Sequence, residues 1–468
     1  MKKIRLLTVG ALAAGILYAG ADIAGSAYTE ALTQRRNASR AADYYERGLY
    51  QLAYMAYQSA AAQNPKKEFF QGELASAKAF YQEEPNRGDM MLEKAYHSYL
   101  AAFPGDESIY EEFIQYDLDR GNSQEAADTV NQALANGLNS DFLEDTRKKL
   151  YYLFAPASDV YSWISGTAYE GYYRVLGSDG WGTMSTLGSE IITASKSYVG
   201  AVGEDGKAVC IDQLDDETGD AGETDSEGTR PQLVGKPGEA YLYGEDQIKY
   251  ARFQEDIIEA LGCGGGILPV KLSGEDTWTY LTDRDQVLAD GLAQAGMFSS
   301  GYAFVQPEQG GTWRKMKTDG SLSAEEYEDV RLWENGCYGN ADALILKNGG
   351  SWELCGSDGK PKSSLQAEDM DANYGQPVAY KKDGKWGFVN QDGSVYAEPR
   401  YTYEEVRSYS GGVAAVKQDG LWGFISPSGE MVIEPQFEKA GYFNSDGSCE
   451  VCYPGSAGDQ LIHWAIGR

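Results

Sequence analysis

Histidine is nearly missing from this chain: only His97 and His463 occur in 468 residues. That scarcity removes most routes to histidine-based metal binding and acid–base catalysis. No H-E-x-x-H, G-x-S-x-G or P-loop pattern takes their place. Positive charge is also short. Against 71 Asp and Glu stand 40 Lys and Arg, a formal net charge of −31. Such a field repels phosphate backbones, so nucleic acid is excluded as a partner; acidity of this kind keeps an exported protein soluble. The six cysteines (Cys210, Cys263, Cys337, Cys355, Cys449 and Cys452) are scattered, and Cys449-x-x-Cys452 lacks the second ligand pair that zinc would need. Gly262-Cys263-Gly264-Gly265-Gly266 resembles a phosphate loop but has no Lys or His beside it, and reads as a flexible turn. These absences indicate no enzyme, no catalytic residues, no cofactor and no metal.

Long apolar runs are missing too, with one exception. Lys2, Lys3 and Arg5 precede the run from Leu6 to Ala21, and Ala19-Gly20-Ala21 has the small-residue spacing of a cleavage site. Residues 1–27 are expected to be a signal peptide or a signal anchor, with the N-terminus cytoplasmic. Either outcome places the remainder outside the cytoplasm, secreted or held to the membrane by this segment alone.

Residues 28–155 carry helical periodicity. Tyr44, Gly48, Tyr50, Ala53, Tyr57, Ala60 and Pro65 have the spacing of a tetratricopeptide repeat, in which small residues sit where helices cross and an aromatic fills the groove. Ala95, Tyr99 and Ala102 repeat part of the pattern, as do Ala126, Val130 and Ala133. In this last unit Asn122 is expected to cap a helix and Gly137 to stop it.

Near Pro156 the composition turns to Gly, Asp-Gly and short alternating strands, giving an all-β array over 160–468. The clearest units contain Asp383-Gly384-Lys385-Trp386-Gly387-Phe388 and Asp419-Gly420-Leu421-Trp422-Gly423-Phe424, 36 residues apart (422 − 386). Each unit reads as three strands, in the first case Val378–Lys381, Lys385–Val389 and Ser394–Ala397. Asp-Gly turns with two positive φ angles join them, and Glu398-Pro399 ends the third. Weaker copies centre on Trp181, Ala208, Trp278, Trp313 and Trp352, with a further unit near Tyr241–Tyr250 and a truncated one at the C-terminus. The array holds about eight units, as a propeller-like closed ring or an open β-solenoid. An acidic insertion at 212–238 interrupts it. The insertion reads as a solvated loop, because Ala221 stands where a calcium loop starting at Asp216 needs glycine.

The Asp-Gly-x-Trp-Gly-Phe pattern, followed by Gly and Glu-Pro, closely resembles the WG-containing repeat family of bacterial proteins, with Trp386-Gly387 and Trp422-Gly423 carrying the likeness. An exported helical-repeat segment followed by such units looks like an envelope protein. The resemblance implies a non-enzymatic scaffold of the bacterial envelope, with unidentified envelope proteins as partners. A cell-wall glycan-binding or glycan-processing surface protein is the alternative, in which recurrent tryptophans stack on sugar rings. A tryptophan at one fixed place in each hairpin, Trp181, Trp278, Trp313, Trp352, Trp386 and Trp422, is otherwise expected to wedge between units.

Overall fold

The structure is a computed structural model describing residues 39–204, 206–213, 233, 237–244, 246 and 248–466. The expected leader at 1–27 and most of the acidic insertion lie outside the described residues. Among the described residues, no helix is long and apolar enough to cross a membrane. The chain divides into two compact units, Met1–Leu153 with Ala465–Arg468, and Phe154–Trp464.

The first unit is helical. A helical stretch at 39–46 leads through Gly48 (φ +73°) into Tyr50–Gln63, followed by Lys67–Glu83, Pro85–Ala102, Glu107–Asp119, Ser123–Ala135 and Asp141–Tyr151. Pro85 stands in the first turn of its helix, where no backbone donor is lost. Ala53, Ala60, Ala95, Ala126 and Ala133 are buried, whereas Gly48 and Ala102 of the same expected pattern are exposed. Tyr57 points at Gly72, where a Cβ would come within 2.5 Å of its ring. Asn122 occupies the N-cap position, but its side chain makes no capping bond, a correction to the expected cap. Gly137 follows the end of that same helix, Ser123–Ala135, with φ +82°. Ile466, from the far end of the chain, joins the core of this unit.

The second unit is an eight-bladed β-propeller. Its blades span 163–196, 198–253, 257–292, 294–317, 329–355, 369–401, 405–437 and 439–464. The three-strand expectation is corrected: a complete blade has four antiparallel strands, the added one being a two-residue inner strand such as Asp369–Met370 or Glu405–Val406. It lies in what reads from sequence as a connector, and its brevity is how a 36-residue period holds a full blade. The ring closes where Phe154–Pro156 pairs with β residues Trp464, His463 and Ile462, supplying the outer strand of the eighth blade. Blades four and five keep only isolated bridges at their outer edge, Trp313 to Tyr327 and Trp352 to Ala367.

Two unit assignments also change. Ala208 lies on the second strand of blade two (Lys207–Gln213), not on the tryptophan-bearing third strand. Tyr241–Tyr250 falls in the outer hairpin of that same blade (Pro237–Gly244 with Lys249–Phe253), so it is no separate unit. The acidic insertion therefore sits in the hairpin between the second and third strands.

The apolar cores lie between blades. One cluster joins Trp181 of blade one to Val199 and Cys210 of blade two; others join Trp278 to Phe298, Trp352 to Tyr380, and Trp386 to Val406 and Val416. Leu461 of blade eight packs with Ile164 and Tyr173 of blade one, carrying the same arrangement across the closure. Each blade thus buries its faces against its neighbours.

The Trp-Gly pair has a specific backbone cause. Trp386 pairs with Tyr401 and Phe388 with Ala397, so Glu398-Pro399-Arg400 bulges out opposite Gly387. The outer strand, Val395–Tyr401, therefore runs through Pro399 rather than ending before it, because the bulge leaves the proline unpaired. A Cβ on Gly387 would lie 2.6 Å from the Ala397 carbonyl oxygen, and one on Gly423 2.5 Å from that of Ile433. Of the turns, Asp383-Gly384 and Asp419-Gly420 have positive φ at both positions, whereas Asp392-Gly393 has it only at the glycine.

All nine tryptophans lie in the propeller, so urea unfolding followed by their fluorescence reads this unit alone. Gly423→Ala is expected to cost roughly 2–3 kcal/mol through overpacking against the bulge. Gly420→Ala, in an exposed turn with no atom near the added methyl, should cost about 1 kcal/mol from backbone conformation.

Candidate functional site

The inner strands position charged side chains around one cavity of about 620 Å³, lined from blades one, five, six, seven and eight. The residue after each inner strand decides its character. In blades five to seven these are Arg331, Asp371 and Arg407, whereas blades two and four place Gly200 and Gly296 at the corresponding backbone bonds. Charge is therefore concentrated on one side of the ring.

Arg331 Nε donates to the Met370 carbonyl at 2.9 Å, and its guanidinium pairs with Asp369. Tyr442 donates its hydroxyl to Asp371, whose carboxylate also accepts from Ser408 N at 2.6 Å. The Arg407 guanidinium lies 5.0 Å from the ring centres of both Trp422 and Tyr442. Burial opposes the charge on Arg407, but Tyr442 and Asp371 outweigh it and hold its pKa above the ordinary value. Burial first, then Asp371, pushes the Tyr442 hydroxyl far up, so it stays protonated. Lys439 Nζ lies 2.7 Å from both Glu450 Oε1 and Asp459 Oδ2. Glu450 is fully buried, and burial raises its pKa to about 7 despite Lys439.

Two buried donors in this lining have no protein acceptor: Arg407 Nε and Trp386 Nε1. An aromatic septum closes the cavity on one side. Trp333 packs edge-on against Tyr374 at 4.8 Å and Tyr169 at 5.8 Å, and Tyr374 donates to the Ala168 carbonyl at 2.8 Å. Trp333 and Tyr374 also line a second cavity of about 370 Å³.

Of the residues singled out from sequence, Trp386 and Trp422 border the large cavity, both 5% exposed. Trp181, Trp278 and Trp352 are buried between blades, and Trp313 is half-buried. Gly387 and Gly423 face the bulges behind them. Tyr44, Gly48, Tyr50, Ala53, Tyr57, Ala60 and Pro65 belong to the helical unit and take no part in this site. His97 is exposed on a helix, edge-on to Phe113, and His463 Nδ1 lies 2.8 Å from the Trp464 carbonyl. All six cysteines are free thiols. The glycine run at 262–266 does end in a turn, with Gly265 and Gly266 at positive φ, and it is packed tightly: a Cβ on Gly264 would lie 1.7 Å from the Phe298 carbonyl oxygen, so blades three and four interlock there.

Sequence reasoning missed Trp163, Arg331, Asp371, Arg407, Lys439 and Tyr442. A signal for some of them existed. Asp329-Val330-Arg331, Asp369-Met370-Asp371 and Glu405-Val406-Arg407 repeat a charged–apolar–charged triplet ahead of successive units.

The WG containing repeat family matches residues 386–422 and 422–451, so the chain carries these repeats from its sixth to its eighth blade. No curated protein matches the chain. Among solved structures it is similar to a streptogramin B lyase, at 12% identity over 58% of this chain and 95% of that one, with a TM-score of 0.31. A eukaryotic initiation factor is similar at 10% identity over 66% of this chain and 88% of that one (TM-score 0.39). A β-propeller domain from Myceliophteria thermophila gives 11% identity over 66% and 98% (TM-score 0.32).

Outside the propeller, Glu73 and Asp117 are buried acids, and Glu73 is the more strongly shifted. It is 1% exposed, accepts from Gln58 and Ser98 at 3.4 Å, and burial raises its pKa to about 7. A carboxyl raised on folding contributes stability below its unfolded pKa and loses it as pH rises through the folded value. Helical stability is therefore expected to fall by about 3 kcal/mol between pH 4.5 and 8 from this group. Glu73→Gln should remove this part of the slope in urea melts followed by circular dichroism at 222 nm, leaving the part due to Asp117, whose pKa burial raises to about 6.

Proposed function

We propose that this WG-repeat propeller is a non-enzymatic binding scaffold whose central cavity receives a segment of a protein partner. The observation that carries the reading is the pair of unpartnered donors, Arg407 Nε and Trp386 Nε1, bordering one cavity of about 620 Å³. Buried donors without acceptors are costly, and a ligand carboxylate or carbonyl entering the cavity relieves that cost. A pocket of this size accepts a few side chains and not a folded domain. Arginine and tryptophan are the residue types that dominate the energetics of such contacts.

The leader-like residues 1–27 support an extracytoplasmic site of action, at the bacterial envelope and tied to the membrane only through that segment. The helical unit supplies a second surface for protein partners. The glycan alternative draws on Trp163, Trp333 and the carboxylates of Asp369 and Glu405 lining the cavity, since aromatic faces with acceptor groups also suit sugars. Recurrent tryptophans at 5% exposure or less, by contrast, offer no ring face for stacking.

Binding should separate the two. The full chain, Arg407→Met and Glu405→Lys are compared for capture from envelope extracts and for sedimentation with purified peptidoglycan, with circular dichroism confirming folding. A protein captured at least tenfold less by Arg407→Met supports the scaffold, because a hot-spot arginine contributes about 2 kcal/mol or more. Sedimentation with peptidoglycan that either variant abolishes, with no protein captured, overturns it in favour of the glycan.

A further inference from the structure

A third, much smaller cavity lies between blades one, two and five, and its chemistry differs from that of the central one. Arg174, on the second strand of blade one, is 6% exposed and makes no ion pair within 4 Å among the described residues. Three aromatic rings surround it: Trp181 at 4.8 Å, Trp163 at 5.2 Å and Tyr198 at 5.6 Å from Cζ. Ring faces partly offset the cost of burying a cation, but they accept no N–H in the guanidinium plane. Arg174 Nε and Nη2 accordingly have no acceptor.

Across the cavity stands Asn335, 5% exposed, from the blade-five segment that follows its inner strand. Its Oδ1 accepts from Cys337 N at 3.0 Å, which fixes the amide orientation, and its Nδ2 is left without an acceptor. The cavity that both residues line measures about 20 Å³, room for a single small occupant. Three unpartnered donors, one buried positive charge and one-atom dimensions define the occupant by chemistry. Glu334 also lines this cavity, with Oε2 engaged by Gly166 N at 3.0 Å.

We infer that the Arg174–Asn335 cavity is a binding site for a small monovalent anion of halide type, which joins blade one to the blade-five segment. A water would satisfy donors but leave Glu334, engaged by Gly166 N and with no ion pair to Arg174, as the only negative charge in the lining of a low-dielectric site. The anion supplies both acceptor and counter-charge. This inference is independent of any partner in the central cavity.

Thermal unfolding followed by tryptophan fluorescence, in sodium chloride against sodium gluconate at equal ionic strength, tests it. Chloride should raise the wild-type Tm by about 2–4 °C when it is tenfold above its Kd. Asn335→Asp keeps the acceptor for Cys337 N and places a carboxylate opposite Arg174. Its Tm in gluconate should equal or exceed that of the wild type, and its chloride response should vanish. Crystals of the wild-type chain soaked in bromide should show an anomalous peak beside Arg174 and Asn335 Nδ2, a readout that depends on no variant. Equal wild-type Tm values in the two salts, or a bromide soak with only water in the cavity, would overturn the assignment.

Discussion

Three residues, Phe154, Ala155 and Pro156, hydrogen-bond along Trp464, His463 and Ile462 and so bring the two ends of a 311-residue stretch into one blade. Every other blade is built from a contiguous run of chain, so this pairing alone decides between a ring and an open stack. An open array of eight sheets would expose an apolar blade face at each end and need capping units. Closure removes both ends, and Leu461 packing against Ile164 and Tyr173 shows the last interface filled like the others. The central cavity depends on this step for part of its wall, since Trp163, Gly166 and Thr167 of blade one and Lys439 and Tyr442 of blade eight complete a lining that comes mostly from blades five to seven.

The ring also explains why glycine is so common near the axis. Where inner strands turn back into second strands, neighbouring blades approach until a single methyl group would overlap a carbonyl oxygen, as at Gly264 against Phe298. The same close approach recurs at Gly375 against Tyr409 and at Gly441 against Gly166. In blades five, six and eight the residues after the inner strands bear Trp333, Tyr374 and Tyr442, and the centre opens into a charged cavity behind an aromatic septum. The asymmetry lies in the residue after the inner strand, Gly200 and Gly296 in blades two and four against Arg331, Asp371 and Arg407 in blades five to seven.

Much of this was legible in the sequence because hairpins leave local signals. The Asp-Gly turns, the Trp-Gly pair and the spacing near 36 residues located most second-to-third-strand hairpins, and the tetratricopeptide spacing found helices in which Ala53, Ala60 and Ala95 are buried but Gly48 and Ala102 are not. The inner strands were not legible, because two residues are too few to show a period-two pattern. Pro399 misled for a related reason: a bulge removes the need for its missing N–H, and bulges follow from pairing register rather than composition. Arg407, Asp371 and Tyr442 come from different blades, so no sequence window contains them together. Arg174 is hidden more completely, since nothing local distinguishes it from a surface arginine, and only Trp163, Trp181 and Tyr198 around it reveal burial.

Closure is therefore the claim on which the fold and both cavities rest, and native-state hydrogen exchange of the full chain addresses it directly. The amides of Ala157 and Tyr161, bonded to the Leu461 and Asp459 carbonyls at 2.8 and 2.9 Å, should exchange as slowly as the second and third strands of blade eight and unfold with them. Exchange of 154–161 at unprotected rates while Ser448–Cys452 and Asp459–Trp464 stay protected would contradict a ring closed by this strand.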